Sequence, residues 1–366
     1  MNPITYSPDY LSPPGDTLED VLEERTMTQA ELSERTGLSR KTINEIVKGK
    51  APITSETALQ LERVFDIPAR FWSSREQQYR EALARREERE RLAGCTDWLA
   101  DFPTARMANL GWIEKTRDKV DKLRRVLSFF GVASPAQWEE IWLGQTQNVA
   151  FRKSLRFSSD PKPMSAWLRF GEVAARSMRC ASFDRDRLKA GLDEIRGLTR
   201  KAASVFSKEM RRICCEAGVA LVFTPQLPKA RVSGATRWLT PELALIQLSL
   251  RYKKDDQFWF TFFHEVAHIL LHGKRDVFLE GTNGEEQEEK ETEANTWARD
   301  FLIPPDDFKK FAATNDWSHP AVGEFAHKLG IAPGIVVGRM QREKIIPYSH
   351  LNAWKRTLEW STPAAA

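Results

Sequence analysis

In His264-Glu265-Val266-Ala267-His268, two histidines and a glutamate are spaced for metal chemistry. Residues four apart share a helical face, so His264 and His268 can present two imidazoles to one ion while Glu265 stands beside them. Catalytic zinc sites take three protein ligands and keep a fourth position for water, and a neighbouring glutamate can serve as general base. A third ligand is therefore required, and the run from Glu285 to Glu293 offers several carboxylates. Ala294, Trp297, Ala298, Phe301 and Leu302 predict the buried face of a helix, with Glu293 four residues before Trp297 on its edge. Glu293 is the expected third ligand, and Glu289, one turn earlier, is the alternative. His272 repeats the spacing of four, as a group supporting the ligands or as a helix-end histidine favoured by the dipole. Asn295 is a second candidate for such support.

These groups need a frame. The dense apolar pattern predicts a buried helix from about Asp256 to His272. Before it, Gly218 to Phe223, Arg231 to Trp238 and Leu243 to Leu250 read as three strands separated by turns containing proline and glycine. A small sheet followed by a metal-bearing helix offers an edge on which an extended peptide can add as a strand. From Thr96 to Thr199 the sequence is helix-like, with Trp98, Trp112, Phe129, Phe130, Trp138, Trp142, Trp167 and Phe170 spaced as core aromatics.

A different pattern occupies the N-terminal part. Thr28 caps a helix whose Glu31 completes a capping box, Gly37-Leu38 breaks it, and Ser39 caps a second helix from Arg40 to Lys48. Ile43, Ile46 and Val47 face inward on that second helix, leaving Arg40, Lys41, Asn44 and Lys48 outward. This is a helix-turn-helix layout, in which the second helix enters the major groove of double-stranded DNA and Gln29 and Ser39 can reach the backbone. The charged stretch from Glu81 to Leu92 predicts an exposed connecting helix with i,i+4 ion pairs.

The expected architecture is multidomain and mainly α, with an α+β C-terminal part. A helix-turn-helix bundle spans 10–80, a charged linker 81–95, a helical middle region 96–200 and the metal-bearing domain 201–355. Apolar residues make up 41% of 366 residues, enough for ordinary cores. No apolar run approaches the roughly 20 residues that cross a bilayer, and the N-terminus is too polar for a secretory signal, so the cytoplasm is the expected compartment. The four cysteines, Cys95, Cys180, Cys214 and Cys215, lack metal-finger spacing and are expected as reduced thiols. The net charge of +4 is modest, but the middle third is rich in Arg and Lys.

Thr28-Gln29-Ala30-Glu31-Leu32, Gly37-Leu38-Ser39, Gly49-Lys50 and the stretch from Ile53 to Phe65 resemble the DNA-binding domain of Xre/HigA-type repressors and antitoxins. The resemblance implies a homodimer reading two half-sites of an operator. Arg231 to Ala235, Gln247 to Tyr252, Asp256 to Thr261, the HExxH segment and Glu293-Ala294-Asn295 to Pro304 resemble the ImmA/IrrE family of zincin-like metallopeptidases. That resemblance implies Zn2+ and a protein substrate, in circuits where helix-turn-helix repressors are cleaved after DNA damage or phage-related signals. Single-stranded DNA as a signal for the basic middle region follows from the same analogy. The competing expectation is an antitoxin and autorepressor whose zincin domain binds a toxin or senses a signal without proteolysis.

Overall fold

The computed structural model describes residues 11–144, 160–273, 278–279 and 285–360. The N-terminal prolines Pro3 and Pro8 lie outside the described residues. The chain divides into two compact units, 1–97 and 98–366.

The first unit is helical: α1 Pro14–Glu24, α2 Gln29–Thr36, α3 Arg40–Val47, α4 Ser55–Phe65 and α5 Ala69–Ala93. Short polar caps fix where the helices begin. Thr28 accepts from the Glu31 amide, Ser39 from Thr42 and Thr54 from Thr57, each cap contributing about 1 kcal/mol. The Glu31 carboxylate pairs with Arg35 at 2.6 Å, so of the expected capping box only the Thr28 half is seen. Gly37 closes α2 at φ 76°, a left-handed conformation that costs glycine least. Leu18, Leu32, Ile43, Ile46, Leu61, Phe65 and Trp72 fill the core, each worth roughly 1.5–3 kcal/mol. The charged run expected as a linker continues α5 without a break and carries the i,i+4 pairs Glu81–Arg85 and Arg86–Glu90.

The second unit begins with α6 Thr104–Asn109, α7 Lys119–Phe130, α8 Pro135–Trp138, α9 Pro161–Arg176, α10 Arg185–Gly197 and α11 Ala203–Glu216. The sheet follows, with β1 Val219–Phe223, β2 Gly234–Thr240 and β3 Leu243–Leu248, then α12 Asp255–Leu271, β4 Phe278–Leu279 and α13 Glu285–Leu302. The unit closes with α14 Pro305–Ala312, α15 His319–Leu329 and α16 Pro333–Arg342. Strand order is β1-β3-β2-β4, with β1 and β3 parallel and β2 antiparallel to both β3 and β4. The three expected strands are present, β1 and β3 shorter than expected and β2 shifted to start at Gly234 and end at Thr240. The two-residue β4 pairs with Ala235 and Thr236, so at those positions the outer edge of β2 is already taken by the chain itself.

Alternation along the strands separates two cores. Val219, Leu221, Ala244, Ile246 and Leu248 face the cluster that contains α12, whereas Ala220, Val222 and Leu245 face Ala175 on α9. The aromatics of the middle region do pack as core: Trp138 and Trp167 are fully buried, with Phe102 and Phe130 alongside. Gln247 on β3 donates to the Trp167 carbonyl at 2.7 Å and to Thr224 Oγ1 at 2.9 Å. Helix α9, within the helical middle region, thus packs on one face of the sheet.

Cys180 and Cys215 form a disulfide, with Cα atoms 4.5 Å apart, which corrects the expectation of four reduced thiols. The loop after α9 returns beside the end of α11, where the Ala181 amide donates to the Cys215 carbonyl at 3.0 Å. That is a tertiary juxtaposition 35 residues apart in sequence, which cysteine spacing alone does not encode. Cys95 and Cys214 are free thiols.

Candidate functional site

Helix α12 is buried along nearly its whole length, against β2 and β3 on one side and α13 and α16 on others. Its His264 and His268 sit one turn apart, as their spacing requires, with their Nε2 atoms 3.0 Å apart. The carboxylate that joins them is Glu291, whose Oε2 lies 3.3 Å from His264 Nε2 and Oε1 3.4 Å from His268 Nε2. Glu293, the ligand expected from the sequence, is instead 64% exposed in its side chain and contacts His272. It lines an open cavity of about 660 Å³ with Leu271, Trp297 and Phe301 among its walls. Glu289, the alternative, is exposed.

Helical phase explains the difference. Ala294 and Ala298 are fully buried and Leu302 nearly so, which makes them the centre of the α13 stripe. Trp297 is only partly buried at its margin. Counting back from Trp297 leads to Glu293, whereas three residues back from Ala294 is Glu291. The small alanines were the better guide, because close helix packing puts small residues at the centre of a contact.

The three groups fit a metal ion. A tetrahedral zinc site with bonds of about 2.0–2.1 Å has ligand–ligand edges of about 3.3 Å, close to the three separations found here. Glu291 Oε1 is buried and faces His268 Nε2, which turns a charged acceptor toward the two imidazoles. His264, His268 and Glu291 are also a grouping of donor atoms within 4.8 Å of one another. Burial pushes the His268 pKa down to about 4. Burial works against the Glu291 carboxylate, but its hydrogen bonds and charge interactions with His264 and His268 outweigh it and pull the pKa down to about 2. Neutral imidazole and ionised carboxylate are the forms that bind a divalent cation.

Glu265 is 1% exposed and leans toward β2. Thr236 Oγ1 donates to its Oε2 at 2.6 Å. Gly234 gives it room, since a Cβ there would lie 2.4 Å from Glu265 Oε1 and 2.6 Å from Thr261 Cγ2. The strand therefore fixes the carboxylate beside the histidines, a contact no motif announces. His272 caps α12 and touches His268. Asn295 is half-buried on α13.

In the first unit, Arg40 and Lys41 are exposed on α3, Lys48 is exposed at its C-cap and Asn44 is partly exposed, on a helix whose Ile43 and Ile46 are buried. Ser39 is exposed and Gln29 half-buried, at the starts of α3 and α2. The Ser39 hydroxyl caps α3 through the Thr42 amide at 3.0 Å.

A helix-turn-helix unit and a sheet-backed HExxH helix are thus the two working parts of the chain. Residues 18–72 match the helix-turn-helix family model, and residues 217–341 match the Peptidase_M78 model, described as the IrrE N-terminal-like domain. The chain joins an Xre-type DNA-binding domain to an IrrE-like metallopeptidase-family domain. No curated protein matches it. No helix among the described residues is long and apolar enough to cross a membrane.

Proposed function

We propose that this protein is a transcriptional regulator that binds operator DNA as a homodimer and carries a zinc-dependent endopeptidase acting on a regulatory protein, in a stress, phage-defence or toxin–antitoxin circuit. The convergence of His264, His268 and Glu291 beside a buried Glu265 carries this reading. A zinc ion held by the three ligands would acidify a water and polarise the scissile carbonyl. Glu265 accepts the proton of the attacking water and returns it to the leaving amine. Thr236 and Gly234 hold its carboxylate in place for both transfers. On DNA, Arg40, Lys41, Asn44 and Lys48 of α3 face base edges and phosphates, and Gln29 and Ser39 face the backbone.

The test is cleavage of helix-turn-helix repressors by the zinc-loaded chain, comparing wild type with Glu265→Gln. The variant is expected to keep its metal and to cleave at least about 100-fold more slowly, the scale of a lost general base. Equal cleavage by the two proteins would remove Glu265 from the mechanism. Absence of cleavage together with tight binding of a toxin would point to the antitoxin function instead.

A further inference from the structure

His272 stands one turn beyond His268, where α12 ends and its own backbone has turned extended at φ −113° and ψ 167°. Its side chain is only 3% exposed. Nδ1 lies 2.9 Å from His268 Nδ1, and Nε2 lies 3.2 Å from Glu293 Oε2. A line of polar contacts therefore runs from Glu293 through His272 to the back of His268. The front of His268 is its Nε2, the atom that faces His264 and Glu291.

One placement of protons satisfies the whole line. For His268 Nε2 to offer a lone pair, its proton must sit on Nδ1, which then donates to His272 Nδ1. His272 must in turn carry its proton on Nε2, where it donates to the Glu293 carboxylate, an acceptor that cannot be a donor while ionised. Without Glu293 the order can reverse. A proton on His272 Nδ1 would donate to His268 Nδ1 and move the His268 proton to Nε2, where it blocks the ligand position.

We infer that His272 and Glu293 are positioning residues that fix the tautomer and ring orientation of His268 and so set how firmly the site holds its metal. The inference rests on the metal-site reading above and adds a role for two residues that do not themselves ligate. It also gives Glu293, displaced from the ligand set, a place one contact further out.

The experiment uses the full chain loaded with one equivalent of Zn2+ and follows transfer of the metal to a coloured chelator. His272→Ala and Glu293→Ala should release zinc about 10- to 100-fold faster than wild type. With Co2+ in place of zinc, the visible absorption bands should shift in both variants, while the melting temperature of the metal-free protein stays put for Glu293→Ala. Release rates within twofold of wild type, with unchanged Co2+ bands, would overturn the inference. Should His272→Ala fail to fold, the exposed Glu293→Ala decides alone. If wild type takes up no zinc, the metal-site reading fails and this inference falls with it, an outcome distinct from wild type and variants holding zinc equally.

Discussion

At the scale of single residues, the candidate centre is two imidazoles on α12, one carboxylate on α13 and a second carboxylate, Glu265, held by Thr236 of β2. His264, Glu265 and His268 come together because a helix repeats every 3.6 residues, whatever surrounds it. Glu291 lies in a carboxylate-rich run whose phase is set by the Ala294 and Ala298 stripe rather than by the bulkier Trp297. Thr236 and Gly234, which hold Glu265, and Cys180, which meets Cys215, are brought in by folding alone. The remaining thiols make a test of the packing. Burial pushes the Cys214 pKa up to about 12, so at pH 8 its reactive thiolate is scarce and its sulfur is enclosed. Iodoacetamide at pH 8 should modify the partly exposed Cys95 within minutes and leave Cys214 unlabelled until denaturant is added. Equal labelling of the two in the folded protein, followed by peptide mass spectrometry, would show that the core around α11 and β1 is open.

At the scale of elements, helix starts and strands were readable because their signals are local. Thr28 and Ser39 cap as their positions suggest, and the three strands stand where the apolar runs lie. Strand order, the pairing of β4 with β2 and the uninterrupted α5 were not readable. The first two depend on contacts between distant segments, and the last on a helix whose polar face gives no sign that it belongs to the bundle. The expected capping box shows why local rules reach only so far: Arg35, one turn away, offers Glu31 an ion pair in place of the Thr28 amide. For α3 the local reading carries a prediction. Arg40→Ala and Asn44→Ala should each weaken operator binding by about 1–3 kcal/mol if they meet base edges, whereas Lys48→Ala should act alike on all sequences and flatten the salt dependence. Titrations of the full chain with operator and scrambled DNA at several salt concentrations check this. Unchanged affinity for both Arg40→Ala and Asn44→Ala would mean that α3 does not read the groove.

At the scale of the whole molecule, two working parts share one chain, and each unit carries its own core. In the second unit, distant segments are tied directly to α12, the helix that carries His264 and His268. Arg356 pairs with the fully buried Asp255 at 2.8 Å and Lys355 with Asp256 at 2.6 Å, closing the C-terminal segment over the start of α12. From α9 comes one cover of the sheet, from β2 the cradle of Glu265, and from α13 the Glu291 carboxylate beside the two histidines. The site is thus a product of the entire unit rather than of the five-residue motif that announces it. Its most direct test is the zinc content per chain of wild type, Glu291→Ala and Glu293→Ala, purified in parallel and measured by elemental analysis. Wild type should carry close to one zinc, Glu293→Ala less in proportion to its faster release, and Glu291→Ala least of all. Full zinc in Glu291→Ala, or its loss in Glu293→Ala alone, would contradict the assignment of the third ligand and the site built on it.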